Sequence, residues 1–249
     1  MKGYYKEDPW CIIEEGFDPA MQEASESLFS LGNGFMGQRA NFEEQYSGET
    51  LQGTYLAGIY YPDKTRVGWW KNGYPEYFAK VPNAPNWIGI DVEINGVPLD
   101  LHQVKSLEFR RVLNMQQGFL DRNFRVHIQD KKLEITSRRF LSMKRDEVGA
   151  IRYSVRSLDF SGMISFLVKI PVRLEGYLKA VTRSPMSQML LSIIHTIIAG
   201  VRNSNDTLIS VCCILLKNGC WTPMEMLRTE VSIISNQECP IWPQDVIIV

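Results

Sequence analysis

Apolar and polar residues alternate in short segments between positions 87 and 168. Segment 89–94 has an apolar residue at every second position, a period that buries one face of a β-strand and leaves the other in water. Asn95-Gly96 follows at once, and both residues tolerate the positive φ angles of a type I′ hairpin turn. The returning strand is therefore expected over residues 97–101.

The same alternation recurs further along the chain. Segment 120–128 predicts another strand, 130–132 a polar turn, and later strands are expected to open near positions 133, 151 and 163. Short, evenly spaced strands joined by polar turns predict a mainly β, antiparallel sandwich. Residues 50–86 are rich in Gly, Pro, Trp and Tyr and are expected to form long ordered loops over it.

Composition narrows the classes of partner. The 249 residues carry a formal net charge of -1 and contain no basic tract, so neither nucleic acid nor an anionic membrane surface is indicated. Acidic residues interrupt every apolar stretch near the N-terminus, which is unlike a secretory signal and predicts a cytoplasmic location. Five cysteines without a CxxC pair indicate neither a disulfide scaffold nor a zinc site.

The chain changes character near residue 170. Aromatic residues become rare, and four of the five cysteines lie beyond this point. The apolar run 189–201 is too short for a bilayer, which requires ~20 apolar residues. An irregular or partly helical tail is therefore predicted.

Residues 32–37 match the pattern GxGxxG through Gly32, Gly34 and Gly37. A dinucleotide site would also need a preceding strand, a following helix and a βαβ unit, and the sequence shows no such rhythm. These glycines, with Asn33, are expected to form a tight turn where two backbone segments pack closely.

Two glutamate pairs, Glu14-Glu15 and Glu43-Glu44, are the adjacent carboxylates of interest. Glycosidase chemistry needs two carboxyl groups ~5–10 Å apart across a sugar. Neighbours on a strand point to opposite faces, so neither pair meets this need by itself. Surface or salt-bridged glutamates are the favoured interpretation.

The aromatic segment 69–75 presents Trp69, Trp70, Asn72 and Tyr74. Aromatic faces with nearby amides can stack on sugar rings, and they can equally fill an interface between domains. Both interpretations remain open for these four residues.

Several stretches resemble glycoside hydrolase family 65 in order and spacing. They include residues 30–39 with Arg39, continuing to Glu43-Glu44, and the segments 55–60, 83–87, 117–124 and 137–143. Segment 61–75 is similar to the branch of the family that phosphorolyses maltose. Ala40 departs from the pattern, which usually has glycine there, and its methyl group is expected to tighten the packing slightly.

The resemblance implies a super-β-sandwich of the galactose-mutarotase type, followed in intact members by helices, an (α/α)6 barrel and a small sheet domain. It implies inverting phosphorolysis of a disaccharide, with a barrel glutamate as acid and inorganic phosphate as co-substrate. No metal or organic cofactor is implied. Disaccharide, phosphate, the missing barrel and a second copy in a homodimer are the implied partners.

The catalytic positions belong to that barrel, so none is carried over to this chain, which is predicted to be inactive alone. The resemblance predicts an incomplete sandwich domain over residues 1–168 and an unrelated tail over 169–249. A shifted reading frame after about residue 168 is the hypothesis for the tail. The alternatives are a stand-alone carbohydrate-binding or interaction module, or a fragment of a family hydrolase or of a trehalose or kojibiose phosphorylase.

Overall fold

The computed structural model describes residues 3–58, 60–65, 75–84, 86–146, 148–171, 192–201, 207–216 and 227–235. These residues form antiparallel sheets with one short α-helix, which confirms the predicted mainly β class. Strands are numbered below in chain order.

The largest sheet has eight strands in the order β1-β2-β10-β11-β12-β13-β16-β17. Their bounds are β1 Tyr5–Glu7, β2 Cys11–Glu15, β10 Lys105–Asn114, β11 Phe119–Ile128, β12 Lys131–Leu141, β13 Val148–Ser157, β16 Thr207–Leu216 and β17 Leu227–Ser235.

A four-stranded sheet packs against its inner face in the order β15-β14-β8-β9. Its strands are β15 Ser192–Val201, β14 Gly162–Pro171, β8 Ile90–Ile94 and β9 Val97–Pro98. Buried apolar residues of both sheets form one hydrophobic cluster. The ring of Tyr153 from the large sheet meets Phe166 of β14 edge-on, with centroids 6.3 Å apart. Two antiparallel sheets around a shared core make a β-sandwich.

The predicted hairpin at residues 90–98 is confirmed. The β8 side chains alternate between buried and half-buried, and Asn95 (φ 50°) and Gly96 (φ 80°) adopt the expected left-handed backbone. The returning strand is shorter than predicted and ends at Pro98, although the Leu99 N–H still donates to the Val92 carbonyl at 2.8 Å. The turn before β12 lies at Gln129 (φ 53°) and Asp130, slightly earlier than predicted.

Smaller elements precede and interrupt the strands of the two large sheets. They are a three-stranded sheet, a two-stranded hairpin, a 3-10 turn and the helix, so part of the predicted loop region 50–86 is strand. The bounds are β3 Leu31–Gly32, β4 Met36–Gln38, β5 Thr54–Leu56, β6 Tyr61–Lys64, β7 Tyr77–Lys80, η1 Pro19–Met21 and α1 Gln22–Leu28.

The described part of the tail consists of strands, where the sequence predicted irregular or partly helical structure. β15 extends the small sheet beside β14, and β16 and β17 extend the large sheet beside β13. A continuous apolar run fits a strand as well as a helix, because only alternation or a 3.6-residue spacing separates the two. Within the described residues, no helix has the length and apolar character needed to cross a membrane.

Candidate functional site

A row of polar residues crosses the inner face of the large sheet. Strand register aligns one residue from each of five neighbouring strands, from β2 to β13, and residues directly opposite each other share a face. The members are Glu14, Arg111, Arg122, Ser137 and Tyr153. All five are buried, so this row replaces hydrophobic contacts with charges inside the sandwich.

Glu43 and Glu44 converge on one arginine of this row. Arg122 donates from Nη2 to Glu43 Oε2 and to both Glu44 oxygens, at 2.8 and 2.6 Å for Glu44. The glutamates lie in a bend between strands, not on a strand, so the expected divergence to opposite faces does not occur. Their exposed fractions of 3% and 5% show that the pair is salt-bridged and buried, not at the surface.

Further donors complete the Glu43–Glu44 cluster. Arg139 donates to Glu43 Oε1 at 3.1 Å, and the Tyr153 hydroxyl donates to Glu44 Oε1 at 2.6 Å. Burial pushes the pKa of Glu43 upward, but its two arginine partners outweigh burial and hold the pKa below its usual value. Burial, together with the charge of Glu43, raises the pKa of Glu44 despite its contact with Arg122.

A second buried cluster lies at the β2 end of the row. Arg111 Nε lies 3.1 Å from Glu14 Oε2, and Arg111 Nη2 donates to Gln22 of α1 at 3.0 Å. Glu26, also on α1, accepts hydrogen bonds from the Thr50 hydroxyl and from the Leu51 backbone N–H, each at 2.6 Å. On β2, Glu14 points into the sandwich while Glu15 is exposed and pairs with Lys6, as strand alternation requires.

Both clusters fasten one covering segment, residues 39–54, onto the sheet. Arg139 donates to the carbonyl oxygens of Asn41 at 2.9 Å and Arg39 at 3.2 Å. Ala40 is 2% exposed and packs with Phe29, Leu113 and Leu120, so its methyl group lies in a small second core. The carboxylates of Glu14, Glu26, Glu43 and Glu44 are therefore buried and held by hydrogen-bonding partners.

The glycine motif forms a hairpin that is tied to a distant loop. Gly34 (φ 88°) occupies the turn between β3 and β4, and no helix follows it. Asn33 Oδ1 accepts the amide N–H of Met36 at 2.7 Å, while its Nδ2 donates to the carbonyls of Ser142 and Asp146 at 2.8 Å each. Gly37 lies on β4 with the Tyr55 side chain beside it. The motif therefore joins the β3–β4 turn to the end of β12.

Trp69, Trp70, Asn72 and Tyr74 fall outside the described residues. Their role in sugar contact or at a domain interface stays a prediction.

The outer face of the large sheet carries an open depression of about 390 Å³. Two adjacent rows of side chains across β10–β13 line it. One row is Val112, Asp121, Arg138 and Arg152, and the other is Arg110, Asn123, Thr136 and Ser154.

The sequence patterns predict neither the buried polar row nor the outer depression. Arg122 occupies an inward position of β11 among Leu120, Phe124 and Val126, so in the sequence it looks like a single exception to an apolar pattern and not like a member of a polar row. A charged residue at the inward phase of an otherwise apolar strand was the available signal, since a buried charge requires a buried partner.

Comparison with known proteins identifies the family. A model described as "Glycosyl hydrolase family 65, N-terminal domain" matches residues 12–205, which is most of the chain and extends beyond residue 168. A maltose phosphorylase of Bacillus subtilis (strain 168) is 50% identical over 160 residues, covering 64% of this chain and 21% of that protein. An alpha,alpha-trehalose phosphorylase of Thermoanaerobacter brockii is 32% identical over 177 residues, covering 68% and 22%.

A solved structure supports the same placement. A putative kojibiose phosphorylase from the human microbiome superposes with a TM-score of 0.66 at 28% identity, covering 93% of this chain and 31% of that chain. The chain spans about a fifth of the length of the two phosphorylases above. By its family match, its strand topology and these relatives, this chain belongs to glycosyl hydrolase family 65 and carries the family's N-terminal domain.

Proposed function

We propose that this chain is the non-catalytic N-terminal part of a glycoside phosphorylase whose intact form cleaves maltose with phosphate and inversion. The observation that carries the proposal is the gradient of identity: 50% to a maltose phosphorylase, against 32% and 30% to trehalose and kojibiose phosphorylases. Disaccharide and phosphate are the partners of that intact enzyme.

The proposal that the sandwich itself does not catalyse rests on the state of its carboxylates. An acid that protonates a glycosidic oxygen must lie within hydrogen-bond reach of the sugar. Glu14, Glu43 and Glu44 are buried and occupied by arginine and hydroxyl partners. Phosphorolysis is therefore expected to need the remainder of a family 65 enzyme.

A graft into relatives tests the proposal. Residues 12–168 would replace the matching segment in the Bacillus subtilis maltose phosphorylase and in the Thermoanaerobacter brockii trehalose and kojibiose phosphorylases. Each graft would be assayed on its host's disaccharide with phosphate. We expect the maltose host to retain the largest fraction of its kcat/KM. Equal or better retention in the trehalose or kojibiose host would contradict the assignment to the maltose branch.

Binding of maltose by the chain alone separates the module hypothesis from this one. A stand-alone sugar-binding module should bind maltose, and Trp69→Ala should weaken that binding. Calorimetry on the full chain distinguishes the two, because the phosphorylase proposal requires no such affinity.

The shifted reading frame after about residue 168 is a separate proposal, supported by the change in composition there. The family match runs on to residue 205, so the position of any frame change has to be fixed by the DNA. The coding DNA, read in all three forward frames from upstream of codon 168 past the stop codon, tests it. Another frame that continues the sandwich supports the proposal, and its absence from all frames refutes it.

A further inference from the structure

The depression on the outer face of the large sheet concentrates positive charge on a chain with a formal net charge of -1. Its lining residues include four arginines and one aspartate, Asp121; Arg122 belongs to the inner row, and Arg110, Arg138 and Arg152 lie on the outer face. A concave surface of one sign attracts ligands of the opposite sign, so the depression favours an anion.

Its floor is held in a fixed position. Arg138 donates from Nε and Nη2 to the two oxygens of Asp121 at 2.5 and 2.6 Å, a bidentate pairing. The same guanidinium lies over the ring of Phe119, 4.1 Å from its centroid. This hydrogen bonding to Asp121 raises the pKa of Arg138 despite its partial burial, so the floor stays charged. A ligand meets a preorganised surface, which lowers the entropic cost of binding.

One cation in the depression, Arg152, lacks a balancing carboxylate among the side chains that the structure describes. Arg152 lies directly opposite Arg138 in the strand register, and like charges in that position repel each other. Within the part of the chain that the structure describes, Arg152 has no carboxylate within ion-pair distance. Asp121 neutralises Arg138 alone, so a bound anion beside Arg152 would remove the remaining repulsion.

Neutral hydrogen-bonding groups continue the surface next to this pair. Asn123 Nδ2 donates to Thr136 Oγ1 at 3.2 Å. The Thr136 hydroxyl hydrogen and the side-chain oxygen Oδ1 of Asn123 can therefore bond to a ligand. The Ser154 hydroxyl lines the same row. Alternating donors and acceptors of this kind suit a ligand that carries several hydroxyl groups.

We propose that this depression binds a phosphorylated monosaccharide, with the phosphate at Arg138 and Arg152 and the sugar hydroxyls over Asn123, Thr136 and Ser154. The volume of about 390 Å³ lies within the range of small-molecule sites, ~300–1,000 Å³, and suits one sugar ring with its phosphate. The planar fork of a guanidinium matches phosphate oxygens in geometry as well as in charge. The site lies on the opposite face of the sheet from the buried glutamate clusters.

Calorimetry on the full chain tests the proposal with glucose 6-phosphate, glucose and inorganic phosphate as probes. Glucose 6-phosphate should bind saturably and inorganic phosphate should bind about tenfold more weakly, since it lacks the hydroxyl contacts. Arg152→Gln should weaken glucose 6-phosphate by about tenfold or more through loss of a charge-assisted contact.

Arg156→Gln is the matched control, because Arg156 lies on the same strand and face but pairs with Glu134 outside the depression. It should leave the affinity within about twofold of the parent chain, as expected for a distant, half-exposed ion pair. Circular dichroism of both variants verifies that they fold alike.

Protection from chemical modification gives a second measurement that needs no variant. Phenylglyoxal modifies exposed guanidinium groups, and mass spectrometry would report the extent at Arg152 and Arg156 with and without glucose 6-phosphate. Selective protection of Arg152 supports the site.

Three results would overturn the proposal: no saturable binding of any probe, equal affinity for inorganic phosphate and glucose 6-phosphate, or equal loss in the Arg152 and Arg156 variants.

Discussion

Replacement of Arg122 by methionine should remove a large share of the stability of the sandwich. The substitution keeps an apolar stem of similar length but leaves Glu43 and Glu44 without the guanidinium between them. Glu43 would keep Arg139, whereas Glu44 would keep only the Tyr153 hydroxyl. One carboxylate therefore becomes a buried charge without a counter-charge.

The loss of stability can be estimated from the one carboxylate that loses its counter-charge. Removing one partner of a buried ion pair costs ~3–5 kcal/mol. A domain is typically stable by ~5–15 kcal/mol, so Arg122→Met should lower the free energy of unfolding by about a fifth or more. Urea unfolding of the full chain, followed by far-ultraviolet circular dichroism, measures this change as a shift of the midpoint.

Two comparison variants make the explanation specific. Arg125→Met breaks two ion pairs of an arginine that is 38% exposed, with Glu108 and Glu134, and should shift the urea midpoint far less than Arg122→Met because solvent screens these pairs. Arg122→Met combined with Glu44→Met removes the unpaired charge and should recover most of the lost stability. An Arg122→Met chain within ~1 kcal/mol of the parent, or a double variant less stable than the single one, would refute the reasoning.

Three further predictions concern the same layer of the molecule. Burial raises the pKa of Glu43, but its two arginine partners outweigh burial and lower the pKa below its usual value. The stability that Glu43 contributes is therefore present near neutral pH and is lost as the pH falls through the folded-state pKa. Glu43→Gln should be less stable than the parent chain at neutral pH and should lose less stability on acidification, as measured by urea titrations. Asn33→Ala removes hydrogen bonds at both ends of the amide and should cost ~1–3 kcal/mol by thermal unfolding; Asn33→Asp keeps the turn acceptor but sets a carboxylate oxygen against the Ser142 and Asp146 carbonyls, so it should not recover that stability. Gly149→Ala would place its Cβ 2.7 Å from the buried Trp87 ring and should cost ~1–3 kcal/mol by thermal unfolding. Gly32→Ala is the control and should be nearly neutral, because the nearest atom to its added Cβ would be 3.7 Å away.

The sequence predicted strands whose inward residues are mostly apolar, including β11, where Arg122 stands among four inward apolar residues. The segment 89–94 and its Asn95-Gly96 turn match the structure because alternation and turn chemistry agree there. Strand β10 was not predicted, since its inward positions run Phe109, Arg111 and Leu113, and a buried arginine interrupts the pattern. Local sequence does not reveal that Glu14 on another strand lies opposite Arg111, because strand pairing is a long-range property.

The same limit applies to the glutamates. Alternation correctly separates Glu14 from Glu15, which lie on a strand, but it misassigns Glu43 and Glu44, which lie in a bend. Their shared target, Arg122, is distant in the chain and becomes visible only when the covering segment lies on the sheet. A rule derived from strand geometry therefore fails where the backbone leaves the strand.

Substitutions on the two faces of the large sheet should have different effects. This difference distinguishes residues that stabilise the fold from residues that bind a ligand. Glu43 and Glu44 act on the inner side, where they hold the covering segment by buried hydrogen bonds, and Asn33 ties the β3–β4 turn to the residues after β12 by less buried ones. Substitutions there should lower any activity of an intact enzyme only in proportion to the stability lost. Arg152 on the outer face is exposed and has little to contribute to folding, so a change in ligand binding at Arg152 with an unaltered unfolding midpoint would have no structural explanation other than direct contact. Measuring ligand affinity and the unfolding midpoint on the same variants therefore tests the structural role of the inner face and the binding role of the outer face together. A structural role predicts that both fall in parallel, and a binding role predicts that affinity falls while the midpoint stays unchanged.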